Sequence, residues 1–320
     1  MKSCLITGAT GNIGSFLLPL LLSHPSKPKL VCTTRDAAKL SAKYGSSDRL
    51  VAATGSFSDP KYIEQICQEH SIDSVFVNLV GGDELANTYV FISALQRSPS
   101  VEHFVYLSVA RDFTKPETRA LTLSCGHAFA CKVTIEDVLR ENYPSGKDGH
   151  PTWTVLGPTS FFNNDEMEQQ GMTGKPESGF LTQITGPVGT SRVSSEDMAE
   201  AVVKSFDDAG TKWGGKKIML GTRKAYTTEE TVKVWSNILG KPVYPMGMDK
   251  ETMDGTETRL RGFLGNEYAR SLTMMMETRN KYGFQITDEE YKDQVEFLGH
   301  EARSWEEHLK ALVAKWKETA

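Results

Sequence analysis

The chain has no basic stripe. Its 320 residues carry 36 Lys and Arg against 41 Asp and Glu, a formal net charge of -5, with no Lys/Arg-rich run. That balance excludes the electrostatic footprint of a nucleic-acid binder. Metal-ligand spacing is missing as well. The five cysteines, Cys4, Cys32, Cys67, Cys125 and Cys131, are an odd number without paired spacing, and the seven histidines show no H-E-x-x-H pattern. We therefore expect no metal site and read the cysteines as reduced packing residues, Cys4 and Cys32 on buried strands. Phe16 to Leu22 is hydrophobic but far short of the ~20 residues a membrane-spanning helix needs, so no membrane association is expected. Internal repeats and low-complexity linkers are absent. The first apolar run opens by Cys4, so a cytoplasmic protein without a secretory leader is the expectation. The length allows one large domain or up to two smaller ones.

What the chain does have begins at its N-terminus. The short apolar run Cys4 to Ile6 is followed by glycines at Gly8, Gly11 and Gly14, then by a run of helical character. Strand, tight turn and helix in that order make a phosphate site. Gly8 lets the strand turn, Gly11 lets a pyrophosphate approach the backbone, and Gly14 lets the helix pack closely on the sheet. Free amides at the helix start, with the helix dipole behind them, favour an anion. The spacing is G-x-x-G-x-x-G, and around Thr7-Gly8-Ala9-Thr10-Gly11 it resembles the extended and atypical short-chain dehydrogenases. The resemblance implies NAD(P) binding by Gly8, Thr10, Gly11, Asn12, Ile13 and Gly14. Pro19 departs from the pattern and is expected to disturb the first helix beyond its first turn.

Further strand-length runs follow at Lys29–Thr34, Arg49–Ala53, Asp73–Leu79 and Val101–Ser108, with helical runs at Pro60–Glu69 and Glu84–Ser98. Repeated units of this length predict an α/β chain with a Rossmann-type, doubly wound parallel sheet. Arg35 and Asp36 follow the second strand. An arginine there suits the 2'-phosphate of NADP and an acid the ribose of NAD; Arg35 comes first, so NADP (NADPH) is preferred, while Asp36 keeps NAD open. In the resembled families the turn at Ser56 and Phe57 lies against adenine. By Rossmann topology Asn78, Leu79 and Val80 are candidate ribose contacts.

Ser108 ends the fifth strand. In typical short-chain dehydrogenases a Ser there joins a Tyr and a Lys spaced Y-x-x-x-K, the Tyr donating the proton. Here Lys132 is present but Ala128 stands where the Tyr belongs. Lys132 borders an apolar stripe of Ala128, Cys131, Ile135, Val138 and Leu139, so it is the candidate catalytic residue and a candidate cofactor-ribose ligand, as is Ser108 for the cofactor. The competing reading is a snorkelling surface lysine paired with Glu136 at i+4. His127 is a weaker candidate acid, five residues before Lys132.

The sixth strand, Thr152–Leu156, runs into Gly157-Pro158-Thr159-Ser160-Phe161-Phe162-Asn163-Asn164. With Arg192–Ala201 and Lys217–Gly221, this resembles the NmrA-like family of atypical short-chain dehydrogenases, over roughly residues 3 to 245. The layout is also similar to festuclavine- and agroclavine-type, isoflavone-reductase-like and quinone-reductase-like reductases. The resemblance implies that Pro158 and Phe161 lie near the nicotinamide; Gly157 departs from it, since the family often has Arg there. Residues 1–158 and 190–222 read as the NAD(P)-binding domain. Residues 159–189 and 223–320 read as a smaller, mostly helical substrate-covering domain, with capping boxes at Thr227 and Thr287. Phe161, Phe162, Phe180 and Met274–Met276 are expected to line an apolar substrate pocket. Three functions fit: an NADPH-dependent reductase of a small hydrophobic substrate with a C=N, C=C or C=O group, with secondary metabolism as its expected setting; an NAD(P)-binding regulator with a protein partner and no turnover; and a non-redox isomerase. A homodimer stays open.

Overall fold

The computed structural model describes residues 1–34, 37–45, 47–79 and 83–319. Its strands in chain order are β1 (Ser3–Ile6), β2 (Lys29–Thr33), β3 (Leu50–Ala53), β4 (Ser74–Val77), β5 (His103–Leu107), β6 (Thr152–Pro158), β7 (Ser160–Phe161), β8 (Gly179–Leu181), β9 (Arg192–Val193), β10 (Lys217–Leu220) and β11 (Val243–Pro245). Seven of them form one sheet in the order β10-β6-β5-β4-β1-β2-β3, and β1 to β6 pair parallel. The strands read as near-continuous Val, Ile, Leu and Phe runs because both faces are covered. On one face Leu5, Val31, Val75, Val77, Phe104, Tyr106 and Val155 pack with Ile63, Phe91, Leu95, Ile135 and Leu139 from the helices Pro60–Glu69, Glu84–Gln96 and His127–Asn142. Their chain neighbours Cys4, Ile6, Cys32, Phe76 and Val105, also buried, point to the other face by the two-residue strand period. The helices Gly14–Ser23 and Ser195–Asp208 pack against each other and bury Leu17, Leu18, Leu21, Met198, Val202 and Phe206.

The chain divides into two compact units: residues 1–109, 131–157 and 195–218, and residues 110–130, 158–194 and 219–320. Residues 110–130, placed with the nucleotide domain by the sequence pattern, cluster with the second unit. There Arg111 Nη2 donates to the Gly283 carbonyl at 2.7 Å, and the Ala128 amide meets Ser271 Oγ at 3.4 Å.

Several local expectations are met in the first unit. Asp59 caps the third-strand helix, its carboxylate accepting from the Lys61 amide at 3.0 Å, with Pro60 as first helical residue. The disturbance expected at Pro19 does not appear as a break: the helix runs Gly14–Ser23 with Pro19 on its exposed side. The β4 strand starts one residue late, at Ser74, although the Asp73 amide still donates to the Ser3 carbonyl at 3.0 Å. Asp73 Oδ2 accepts from the Lys2 amide at 2.5 Å and the Ser3 amide at 3.2 Å, tying down the start of β1.

A buried histidine makes this unit sensitive to acid. His103 is 1% exposed, with Nδ1 at 2.7 Å from Thr152 Oγ1 and Nε2 at 2.9 Å from Ser205 Oγ. Burial lowers its pKa from 6.5 to about 4. The folded state therefore holds His103 neutral where the unfolded chain would protonate it. Stability is complete above about pH 6.5 and is lost as pH falls towards about 4, by an expected 2 to 3 kcal/mol, roughly. Urea melts across that window check this; in His103→Gln the slope should flatten.

In the second unit, β7 pairs with β9 and β8 with β11. Its core joins Phe162, Met172, Trp235, Trp305, Leu309, Val313 and Trp316, with Trp235 and Trp316 stacked at 5.8 Å. Both capping boxes form, Thr227 with Glu230 and Thr287 with Glu290, and Gly240 ends its helix in the left-handed region at φ 70°. The expected apolar pocket does not assemble. Phe162 is 2% exposed inside the tryptophan core and Phe180 is 46% exposed, while Met276 packs with Ile184, Met246 and Met253. Phe162 faces inward because it belongs to the same buried cluster as the tryptophans, with its ring 5.1 Å from the His308 imidazole.

Candidate functional site

The order β3-β2-β1-β4-β5 reverses the direction of winding between β1 and β4. A crevice at such a switch point, beyond the carboxyl ends of the strands, is where open α/β sheets bind ligands. The glycine turn leaves β1 there. Gly8 has φ +66°, and the Gly11 amide donates to the Gly8 carbonyl at 2.9 Å, closing the turn. A Cβ at Gly14 would sit 2.3 Å from the Gly8 carbonyl oxygen and 2.5 Å from that of Ala9, so only glycine allows the helix to start this close. Among the described residues, the amides of Asn12, Ile13 and Gly14 find no backbone acceptor. Gly8, Gly11 and Asn12 are exposed, Thr10 is half-buried, and Ile13 and Gly14 are buried.

The loop after β4 meets this turn. Thr7 Oγ1 donates to the Phe76 carbonyl at 2.9 Å and accepts from the Asn78 amide at 2.6 Å. Asn78 Nδ2 lies 3.2 Å from where a Gly8 Cβ would be, and Asn78 Oδ1 is buried with no hydrogen-bond partner among the described residues. A buried amide oxygen without a donor costs on the order of 1–3 kcal/mol. It fits a ligand hydroxyl. Helix-start amides, a glycine cradle and an orphaned acceptor together suit a group that is anionic at one end and hydroxylated beside it, as a dinucleotide is.

Leu79 is buried in the core rather than open to a ligand. Phe57 stands edge-on to Phe91 at 5.7 Å, and exposed Ser56 shares a hydrogen bond with Ser58 Oγ at 2.7 Å. Arg35, Asp36 and Val80 lie outside the described residues. Pro158 ends β6, where its carbonyl accepts from the Ala110 amide at 2.9 Å, and half-buried Phe161 ends β7; both belong to the second unit.

Lys132 is not the surface lysine of the competing reading. It is 8% exposed, donates to the Leu107 carbonyl at 2.9 Å, pairs with Glu84, and lies 5.2 Å from the Tyr106 ring centroid. Glu84, itself 3% exposed, was missed because a first-turn acid reads as a solvated helix start. Glu136 is engaged elsewhere: Ser108 Oγ donates to it, Lys217 Nζ stands at 2.6 Å and Arg140 Nη1 at 3.3 Å. Ser108 and Lys132 are thus both anchored at the end of β5, Lys132 on the Leu107 carbonyl, and each is held by its own buried carboxylate, Ser108 by Glu136 and Lys132 by Glu84. Burial first, then Glu84, pushes the Cys131 thiol to about 12, so it stays protonated and is no nucleophile. Burial also holds the Tyr106 phenol well above its usual range. His127 opens the helix that carries Lys132, its Nε2 buried and unpartnered. Among the described residues no His, Cys, Asp and Glu group could hold a metal ion, and no helix is long and apolar enough to cross a membrane.

The profile of the NmrA-like family matches residues 1–309. The chain belongs to the NmrA-like family. No curated protein matches it in sequence. Solved structures similar to this NmrA-like chain share its fold at low identity. An NADPH-dependent quinone oxidoreductase of Escherichia coli, in complex with NADPH, is 17% identical with a TM-score of 0.75, over 97% of this chain and 99% of that one. The triphenylmethane reductase of Citrobacter sp., in complex with NADP(H), is 14% identical with a TM-score of 0.72, over 97% and 99%. A double mutant of NmrA is 15% identical with a TM-score of 0.71, over 99% and 97%.

Proposed function

We propose that this NmrA-like protein is an NADPH-dependent reductase of a hydrophobic small molecule carrying a C=N, C=C or C=O group. The observation that carries the reading is the glycine turn after β1 with Asn78 Oδ1 buried and unpaired beside it. Gly8, Thr10, Gly11, Asn12, Ile13 and Gly14 would cradle the diphosphate, and Asn78 would accept from a ribose hydroxyl. Arg35 would favour the 2'-phosphate of NADP over NAD. Residues 1–158 and 190–222 would carry the nucleotide, and 159–189 and 223–320 the substrate. The quinone and triphenylmethane reductases of the same fold support a reductase. Bound NADPH supplies a hydride; the chain supplies positioning. An ammonium has three donors; Lys132 gives one to the Leu107 carbonyl and is ion-paired with Glu84, so Lys132 would give a further donor to the nicotinamide ribose. Ala128 offers no phenol, so an iminium, which accepts hydride at carbon without prior protonation, asks least of this site.

A nucleotide-binding regulator without turnover is the second reading. Ala128 and the engagement of Lys132 by Glu84 favour it. NADPH deuterated at its transferable C4 position, incubated with the protein and a metabolite extract of its host, separates the two. The expected result is deuterium in one product by mass spectrometry, reduced at least tenfold in Lys132→Ala, a loss worth about 1.4 kcal/mol of barrier. Tight NADPH binding with no labelled product overturns the reductase reading and leaves the regulator or the non-redox isomerase.

A further inference from the structure

The second unit holds a group of buried polar atoms that its own side chains leave unsatisfied. Arg192, on β9, is 1% exposed and lies with its Cζ 3.9 Å from the Trp305 ring centroid. Its Nη1 reaches Asp165 at 3.2 Å, but among the described residues its Nε and Nη2 have no hydrogen-bond partner. Arg279, in the last turn of the helix Asn266–Tyr282, is buried, and its Nε is likewise unpartnered. Two backbone links bring these elements together. The Ser191 amide donates to the Phe284 carbonyl at 2.9 Å, and Thr190 bridges to Phe284. Thr190 Oγ1, on the same face of the segment as Arg192 by the strand period, is a further buried atom without a partner.

The nearby acids do not satisfy these donors. Asp165 also accepts from Trp305 Nε1 at 2.7 Å. Glu168 is taken by the Thr182 amide at 2.9 Å, the Thr182 hydroxyl at 2.7 Å and the Gln183 amide at 2.9 Å. Among the described residues Arg279 has no ion-pair partner. Burial, and next the charge of Arg192, lower it to about 10. Orphaned guanidinium donors at this depth are costly unless something accepts from them.

We propose that Arg192 and Arg279 form a recognition site for a small oxyanion, the carboxylate or phosphate group of a ligand taken up by the second unit. Planar guanidinium donors match both groups. Arg279, at 7% exposed, is the more accessible of the two guanidiniums. The site does not depend on NADPH chemistry, so it stands or falls apart from the reductase reading.

The test is calorimetric titration of the whole protein, free of nucleotide, with sodium phosphate and with sodium benzoate, sodium chloride holding ionic strength constant. One of the two anions is expected to bind saturably, and which one names the ligand group. Arg279→Gln, checked for fold by circular dichroism, is expected to weaken that binding at least about tenfold. Arg279→Lys keeps the charge but loses the Nε donor and should weaken it about threefold; it carries the test if Arg279→Gln does not fold. Two results overturn the proposal. One is that neither anion binds. The other is binding that the Arg279 variants leave unchanged, which for phosphate would belong to the glycine turn instead.

Discussion

Gly14→Ala is expected to weaken NADPH binding about a hundredfold or more, equivalent to about 2.7 kcal/mol. The added Cβ would fall 2.3 Å from the Gly8 carbonyl oxygen and 2.5 Å from that of Ala9. Both neighbours are backbone, so no side-chain rotation relieves the overlap; the turn or the helix must move. Either movement displaces the amides of Asn12 and Ile13 from where a diphosphate would meet them. Overpacking of this kind also costs about 1–3 kcal/mol of stability. Gly11→Ala, whose Cβ would meet the Gly8 oxygen at 3.2 Å, should have a smaller effect. Gly255→Ala, which points into open space on a helix, should leave binding alone. NADPH fluorescence titrations compare the three. Affinity of Gly14→Ala within threefold of the parent would mean that the turn is not the phosphate site.

Glu84→Leu should destabilise the first unit by about 3–5 kcal/mol, because it removes the carboxylate that pairs with the buried Lys132 ammonium and leaves it the Leu107 carbonyl and the Tyr106 ring. The double variant Glu84→Leu/Lys132→Met should recover most of that loss, since a buried pair is worth little more than apolar groups of the same shape. Urea unfolding of the two single variants and the double variant gives the coupling energy. A loss below about 1 kcal/mol for Glu84→Leu would rank this pair with exposed ones. The same series bears on turnover. If Lys132 holds the nicotinamide ribose, the double variant regains stability without regaining hydride transfer.

What the sequence could reveal was local. The glycine turn, the capping boxes at Thr227 and Thr287 and the Asp59-Pro60 helix start are each written within a few residues. The parallel strands announce themselves as apolar runs of the right length. What it hid was long-range pairing of charge. On helix spacing alone Lys132 belongs with Glu136, but Glu136 is claimed by Ser108 and Lys217, and Glu84 reaches Lys132 from another helix. Likewise Phe162 follows Phe161 as a second aromatic in a loop. Only the tertiary packing of Trp235, Trp305 and Trp316 draws it inside. Arg192 reads as a polar residue ahead of a helix, and nothing near it in the chain announces Asp165 or Trp305.

The first unit is drawn from three separate stretches, the last of which ends at residue 218. The order of emergence from the ribosome therefore matters. When residue 157 has been made, β1 to β5 and most of β6 exist, but the helix Ser195–Asp208, which packs on Gly14–Ser23, does not. Leu17, Leu18 and Leu21 lack that cover until about fifty more residues follow, a delay of several seconds at typical elongation rates. Residues 158–194, which belong to the other unit, are synthesised within that interval. The nascent chain must hold an unfinished apolar face while it begins a second unit.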